Sequence, residues 1–248
     1  MIDVHAHLDA CADRPSALLR RARDAGVDRV VTVGTGIDSS REAIALADRH
    51  EEVFAVLGID PHQAGGSEAD RIDELRELFT HDKAVAVGET GLDFFRDHAS
   101  PERQRRLFEA QLDLASELGK PVVIHNRDAD DDTARVLAGF HGTVVLHCFS
   151  SPGLLQPALD RGYYVSFAGN VTFPKAEALR SAAARVPAER ILAETDSPYL
   201  APQPRRGRPN EPANVVHTVE VLAAARGENP DELAGQIDAN ASIAFSLP

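Results

Sequence analysis

Short apolar runs rich in valine and isoleucine alternate with longer amphipathic stretches along the chain. The short runs are Ile2–His7, Arg29–Val33, Val53–Gly58, Ala84–Glu89, Val122–His125, Val144–His147, Tyr163–Phe167 and Ile191–Thr195. Most lack apolar–polar alternation, as expected of parallel strands covered on both faces. Helical spacing marks Pro15–Ala25, Ser40–His50, Glu68–Thr80, Pro101–Leu118, Asp130–Gly139, Pro152–Arg161 and Lys175–Val186, followed by Ala213–Arg226 and Pro230–Ile237. Ser100-Pro101 and Ser151-Pro152 each set a cap residue before a first-turn proline. Eight strand–helix alternations predict an α/β fold, a (β/α)8 TIM barrel, as a single domain over residues 1–248. An open doubly wound sheet is the competing arrangement, but no glycine-rich phosphate loop follows the first run.

The polar residues that close the apolar runs change the picture. Asp3-Val4-His5-Ala6-His7 places two imidazoles two residues apart on a strand, hence on one face, a spacing that can grip one cation. Glu89, His125, His147 and Asp196 end or follow four other strands. Any one of them has an ordinary reading as a cap or an ion-pair partner. Six such residues at the ends of five strands predict a shared rim, because a buried carboxylate is costly unless paired or bound to metal. Other histidines differ: His50, His81 and His141 fall at or beyond helix C-termini, where the helix dipole suits them, and His98 and His217 read as surface residues. His62, in Gly58-Ile59-Asp60-Pro61-His62, follows the third strand on the same side and can reach a substrate phosphate or leaving group.

Composition narrows the partners. A formal charge of −13 argues against tight non-specific binding to nucleic acid, which rests on phosphate neutralisation by lysine and arginine. It leaves room for a metal centre that handles phosphate locally. The loop Ser197–Pro212, with Arg205, Arg206 and Arg208, is locally basic and proline-rich, although alone it reads as a stiff surface connector. No apolar run approaches the ~20 residues of a membrane span, and Met1–Ala10 lacks the features of a signal peptide. Two distant cysteines, Cys11 and Cys148, suggest no disulfide framework, so a reducing cytoplasm is the expected compartment. As the strand neighbour of His147, Cys148 is expected to point away from the rim.

With these residues in place the chain resembles the TatD family of metal-dependent deoxyribonucleases, within the amidohydrolase-like barrels. The resemblance runs nearly end to end and is carried by DVHAHLD (3–9), GIDPHQA (58–64), VGETGLDF (87–94), PVVIHNRDA (121–129), VLHCFS (145–150), ETDSPYLAP (194–202) and RGRPNEPANV (206–215). It implies one cation on His5, His7, Glu89 and Asp196 and a second on Glu89, His125 and His147, with Glu89 as bridge. Magnesium is the expected metal, with manganese or zinc as substitutes. The substrate implied is single-stranded DNA attacked from its 3′ end, with RNA a second candidate, by a monomer. The sequence departs from the family pattern at Asp60, often His, and at Pro209, commonly Arg or Lys; neither position is among the six ligands.

The chemistry expected is two-metal hydrolysis of a phosphodiester, with Asp196 orienting the water and accepting its proton. Arg127, Arg206, Arg208 and His62 are candidates for phosphate contact. Glu89 stands where many amidohydrolases carry a carbamylated lysine. Two other readings stay open: hydrolysis of an amide, lactone or aminoacyl ester on the same scaffold, and a metal-binding scaffold without turnover.

Overall fold

Eight parallel strands and nine α-helices alternate through the chain, in a computed structural model that describes residues 1–96 and 98–248. The strands are β1 (Ile2–Ala6), β2 (Arg29–Val33), β3 (Val53–Leu57), β4 (Ala84–Asp93), β5 (Val122–Arg127), β6 (Val144–Leu146), β7 (Tyr164–Phe167) and β8 (Ile191–Ala193). They pair in sequence order, and a parallel bridge between Ala6 and Ser197 brings β8 back to β1, so the sheet is a barrel. The seam is tied by side chains as well: Thr195 donates its backbone N–H and its hydroxyl to the buried Asp3 carboxylate, at 2.8 and 2.6 Å. Burial pushes the Asp3 carboxyl up to about 8.

The helices are α1 (Pro15–Asp24), α2 (Ile37–Arg49), α3 (Ile72–Leu78), α4 (Pro101–Leu118), α5 (Asp130–Leu137), α6 (Pro152–Asp160), α7 (Glu177–Arg185), α8 (Val215–Arg226) and α9 (Pro230–Phe245). Apolar side chains fall into two layers. One set of strand residues, including Val30, Ala55, Ile124 and Val165, packs outward against the helices. The other, including Val4, Val31, Val56 and Val123, fills the barrel with Ala241, Ala244, Phe245 and Leu247 from the end of α9. Helix α9 therefore covers the N-terminal mouth and leaves the C-terminal mouth open to chemistry.

Several elements differ from the sequence expectation. Residues 68–80 are broken: Ser67–Asp70 form a 3-10 turn before α3, with Glu68 accepting the N–H of Ile37. Helix α9 runs on to Phe245 rather than ending at Ile237, because its last turns bury Ala241, Ala244 and Phe245 in the barrel. Ser100 caps α4 by accepting the N–H of Arg103, as expected. Ser151 makes no cap bond at α6; its hydroxyl instead accepts from the Asn126 amide at 2.6 Å. Strand β4 extends past Glu89 to Asp93, and Gly91 makes this possible. Its φ is +140°, and a β-carbon there would sit 2.0 Å from the carbonyl oxygen of His125.

Candidate metal centre

Val4 belongs to the interior layer and Ala6 to the outer one. A register shift between Asp3 and Ala6 exchanges the faces of β1 and turns His5 and His7 into the C-terminal mouth. There the two Nε2 atoms lie 3.3 Å apart. Glu89 divides its carboxylate between two histidine pairs. Its Oε2 lies 3.4 Å from His5 Nε2 and 3.8 Å from His7 Nε2. Its Oε1 lies 2.7 Å from His125 Nδ1 and 3.0 Å from His147 Nε2. Asp196, on the turn after β8, places Oδ1 3.5 Å from His7 Nε2. The His5 and His147 rings stack at 4.0 Å. All six residues named from the strand ends thus meet in one cluster.

The donor set fits cations. Metal bonds of ~2.0–2.2 Å put neighbouring ligand atoms about 3–3.5 Å apart, close to the spacings seen here. His5–Glu89–His147 and His5–His7–Asp196 each bring ligand atoms within 4.8 Å of one another. The ligands are buried in mixed charge. Burial alone would raise Glu89, but the His147 charge and bonds from His125 and His147 hold it well below its ordinary value. Burial opposes charge on His7, yet Asp196 and Glu89 raise it to about 9. Burial and the His147 charge lower His5.

A further ring of partners orients these ligands. The Val33 carbonyl faces His7 Nδ1 at 3.1 Å. Glu194, fully buried, faces His147 Nδ1 at 3.2 Å and accepts from the Cys148 N–H and the Ser166 hydroxyl. Asp93 Oδ2 lies 3.1 Å from His125 Nε2 and 3.0 Å from His62 Nε2. Asp60, the departure noted in the sequence, lies 3.2 Å from His62 Nδ1 and caps the turn that carries it. Asp60, and then Asp93 against the pull of burial, raises His62 to about 9. Sequence reasoning missed Asp93 and Glu194. Asp93 was findable, four residues past Glu89 in the motif GETGLDF; Glu194 reads as one more residue of an apolar strand.

Arg127 lines the mouth with its guanidinium 3.7 Å over the Phe95 ring, and Arg206 lies 4.1 Å over Phe173. Arg205 and Arg208 are exposed. The strand alternation expected to aim Cys148 is absent. Strand β6 stops at Leu146, and Cys148 takes a φ of +43°, which breaks strand alternation. Burial and the nearby Asp196, Glu194 and Glu89 push its thiol well above the ordinary range. His98, though exposed, packs its ring against His62 at 5.0 Å. Lys83 and Lys120 give their ammonium groups to main-chain carbonyls, and Lys175 is exposed, so neither a lysine nor its carbamate bridges the cluster. No helix among the described residues is long and apolar enough to cross a membrane.

A parallel (β/α)8 barrel that gathers four histidines with carboxylates at its C-terminal mouth is the framework of a metal-dependent hydrolase. The profile of the family described as TatD related DNase matches residues 2–246. An uncharacterized metal-dependent hydrolase TatD of Mycobacterium tuberculosis is 40% identical over 259 residues, spanning 100% of this chain and 98% of that protein. The 3′-5′ ssDNA/RNA exonuclease TatD of Erwinia billingiae is 37% identical over 260 residues, spanning 100% of both. The crystal structure of YjjV, a TatD homologue from Escherichia coli K12, superposes with a TM-score of 0.93 at 32% identity, covering 100% of this chain and 98% of that one. The chain belongs to the TatD family.

Proposed function

We propose that this chain is a two-metal 3′-to-5′ exonuclease on single-stranded DNA, with RNA as a second substrate. The observation that carries the two-metal reading is the split of Glu89, one oxygen facing His5 and His7, the other facing His125 and His147. His5, His7, Glu89 and Asp196 would hold one cation, and Glu89, His125 and His147 the other. When bound, magnesium, or manganese or zinc in its place, lowers the pKa of an attacking water and neutralises charge growing on the phosphate. Asp196 orients that water and takes its proton, since its carboxylate stands at the open edge of the cluster with its main chain pinned to His5 at 2.9 Å. Glu194 and the Val33 carbonyl hold His147 and His7 so that their Nε2 atoms face inward. His62, kept cationic by Asp60 and Asp93 at its two ring nitrogens, would reach phosphate or the departing oxygen by exchanging one of these carboxylates for it. Arg127, Arg206 and Arg208 supply further positive charge on the rim. The name of the Erwinia billingiae relative, a 3′-5′ ssDNA/RNA exonuclease, supports a nucleic-acid substrate.

A panel tests the reading: a single-stranded oligonucleotide, a small phosphodiester, an amide and an aminoacyl ester, each with Mg²⁺, Mn²⁺ and Zn²⁺. Metal-dependent turnover of the two phosphodiesters is expected. Robust amide or ester hydrolysis without phosphodiester cleavage would replace the reading with the rival hydrolase. Metal binding with no turnover of any substrate would replace it with the scaffold.

A further inference from the structure

Of the three exposed large apolar side chains among the described residues, two stand at the mouth: Phe95, 60% exposed, and Tyr199, 57% exposed. The third, Ile243, lies on α9 at the other end. Phe95 follows β4 and Tyr199 follows β8. In a ring of eight strands in sequence order these stand four places apart, on opposite sides of the mouth with the ligands between them. Both are fastened to the metal cluster. The Phe95 N–H donates to Asp93 Oδ1 at 3.0 Å, and the other Asp93 oxygen faces His62 and His125. Arg127 covers one face of the Phe95 ring at 3.7 Å, and the side chain still stands largely in solvent. The Tyr199 N–H donates to the Asp196 carbonyl at 2.8 Å, its own carbonyl accepts from Asn210 at 2.6 Å, and its ring meets His7 edge-on at 5.9 Å.

Aromatic rings held rigidly in solvent beside a phosphate-handling centre match the chemistry of single-strand binders, where bases stack on side chains without regard to sequence. A chain of net charge −13 has little to offer as a general cationic funnel, so grip on the bases must substitute for grip on the backbone. The cleft beside Arg127, about 670 Å³, is lined by Asp128, Asp130 and Asp131, which repel phosphate and disfavour it as the route of the strand. We infer that Phe95 and Tyr199 are paired base-stacking platforms that hold the last two bases of a single strand on either side of the scissile phosphate. This rests on the exonuclease reading.

The test uses the full chain with Mg²⁺, as wild type, Phe95→Ala, Tyr199→Ala, Phe95→Trp and Tyr199→Phe. Three substrates are compared: a single-stranded 12-mer, the same strand with tetrahydrofuran abasic units as its last two nucleotides, and a small diester with no aromatic ring, two tetrahydrofuran abasic units joined by one phosphate. Each alanine should raise KM for the 12-mer by about 5- to 150-fold, with kcat within about threefold. The aromatic replacements should restore it. The alanines should leave the small diester unchanged, and wild type should treat the abasic strand as the alanines treat the normal one. In parallel, 2-aminopurine as the last or penultimate base should be quenched on binding, and each alanine should relieve quenching at one position. Equal KM on normal and abasic strands, unchanged KM in both alanines, or matching losses on the small diester would overturn the pair. A wild type that cleaves the small diester but no single strand in any metal would instead overturn the exonuclease reading, and the pair with it.

Discussion

Glu89 is the residue that faces all four histidines, and Asp196 is the more exposed of the two clustered carboxylates. Their amides should therefore fail differently. Asp196→Asn keeps size and one ligand oxygen but cannot take a proton, so single-turnover cleavage should fall by ~10²–10⁴-fold while elemental analysis finds most of the metal retained. Glu89→Gln should lose metal from both positions together. Near-normal turnover in metal-loaded Asp196→Asn would make Asp196 a ligand alone. Glu194→Gln removes the charge facing His147 Nδ1 and should weaken metal binding by ~10–100-fold in a competitive chelator titration, with little change in turnover once saturated. Unchanged affinity would show that Glu194 only fills the barrel. The six clustered residues were legible in the sequence because each interrupts or closes an apolar run, although Glu89 proves to lie inside β4. Glu194 was not, because it falls within the expected run Ile191–Thr195 rather than closing it, and only the fold, in which β8 stops at Ala193, reveals that His147 and Ser166 satisfy it.

At the scale of elements, short unalternating apolar runs located all eight strands, but they did not foresee where faces exchange. The shift in β1 that turns His5 and His7 inward, and the continuation of β4 through Gly91 to Asp93, depend on contacts with neighbouring strands that no local pattern encodes. The split before α3 and the full length of α9 were missed for the same reason: one depends on Glu68 bonding across to α2, the other on the barrel floor. Gly91→Ala tests the β4 argument. Its β-carbon would collide with the His125 carbonyl, and holding a side chain at this φ costs about 1–3 kcal/mol. A lower Tm together with weakened metal binding is expected, because His125 is displaced. A variant with unchanged Tm and metal content would show that the backbone relaxes freely here.

For the whole molecule, the two apolar layers make the barrel independent of its metal, whereas the mouth is not. Chelation should leave the far-ultraviolet circular dichroism intact while lowering Tm by about 10–20 °C relative to protein whose two sites each see cation at a hundredfold over Kd. Affinity should fall as pH drops, since imidazoles bind metal only when deprotonated. Global unfolding on chelation would instead make the metal part of the core. The central claim, that this mouth removes nucleotides one at a time from a 3′ end, is tested most directly by one gel. A single-stranded oligonucleotide labelled at its 5′ end is incubated with Mg²⁺ or Mn²⁺, with and without EDTA. The account predicts a ladder that shortens stepwise from full length, disappears with EDTA and returns when cation is restored. Immediate release of the labelled terminal nucleotide, cleavage of a circular single strand, or no shortening in either metal would contradict it.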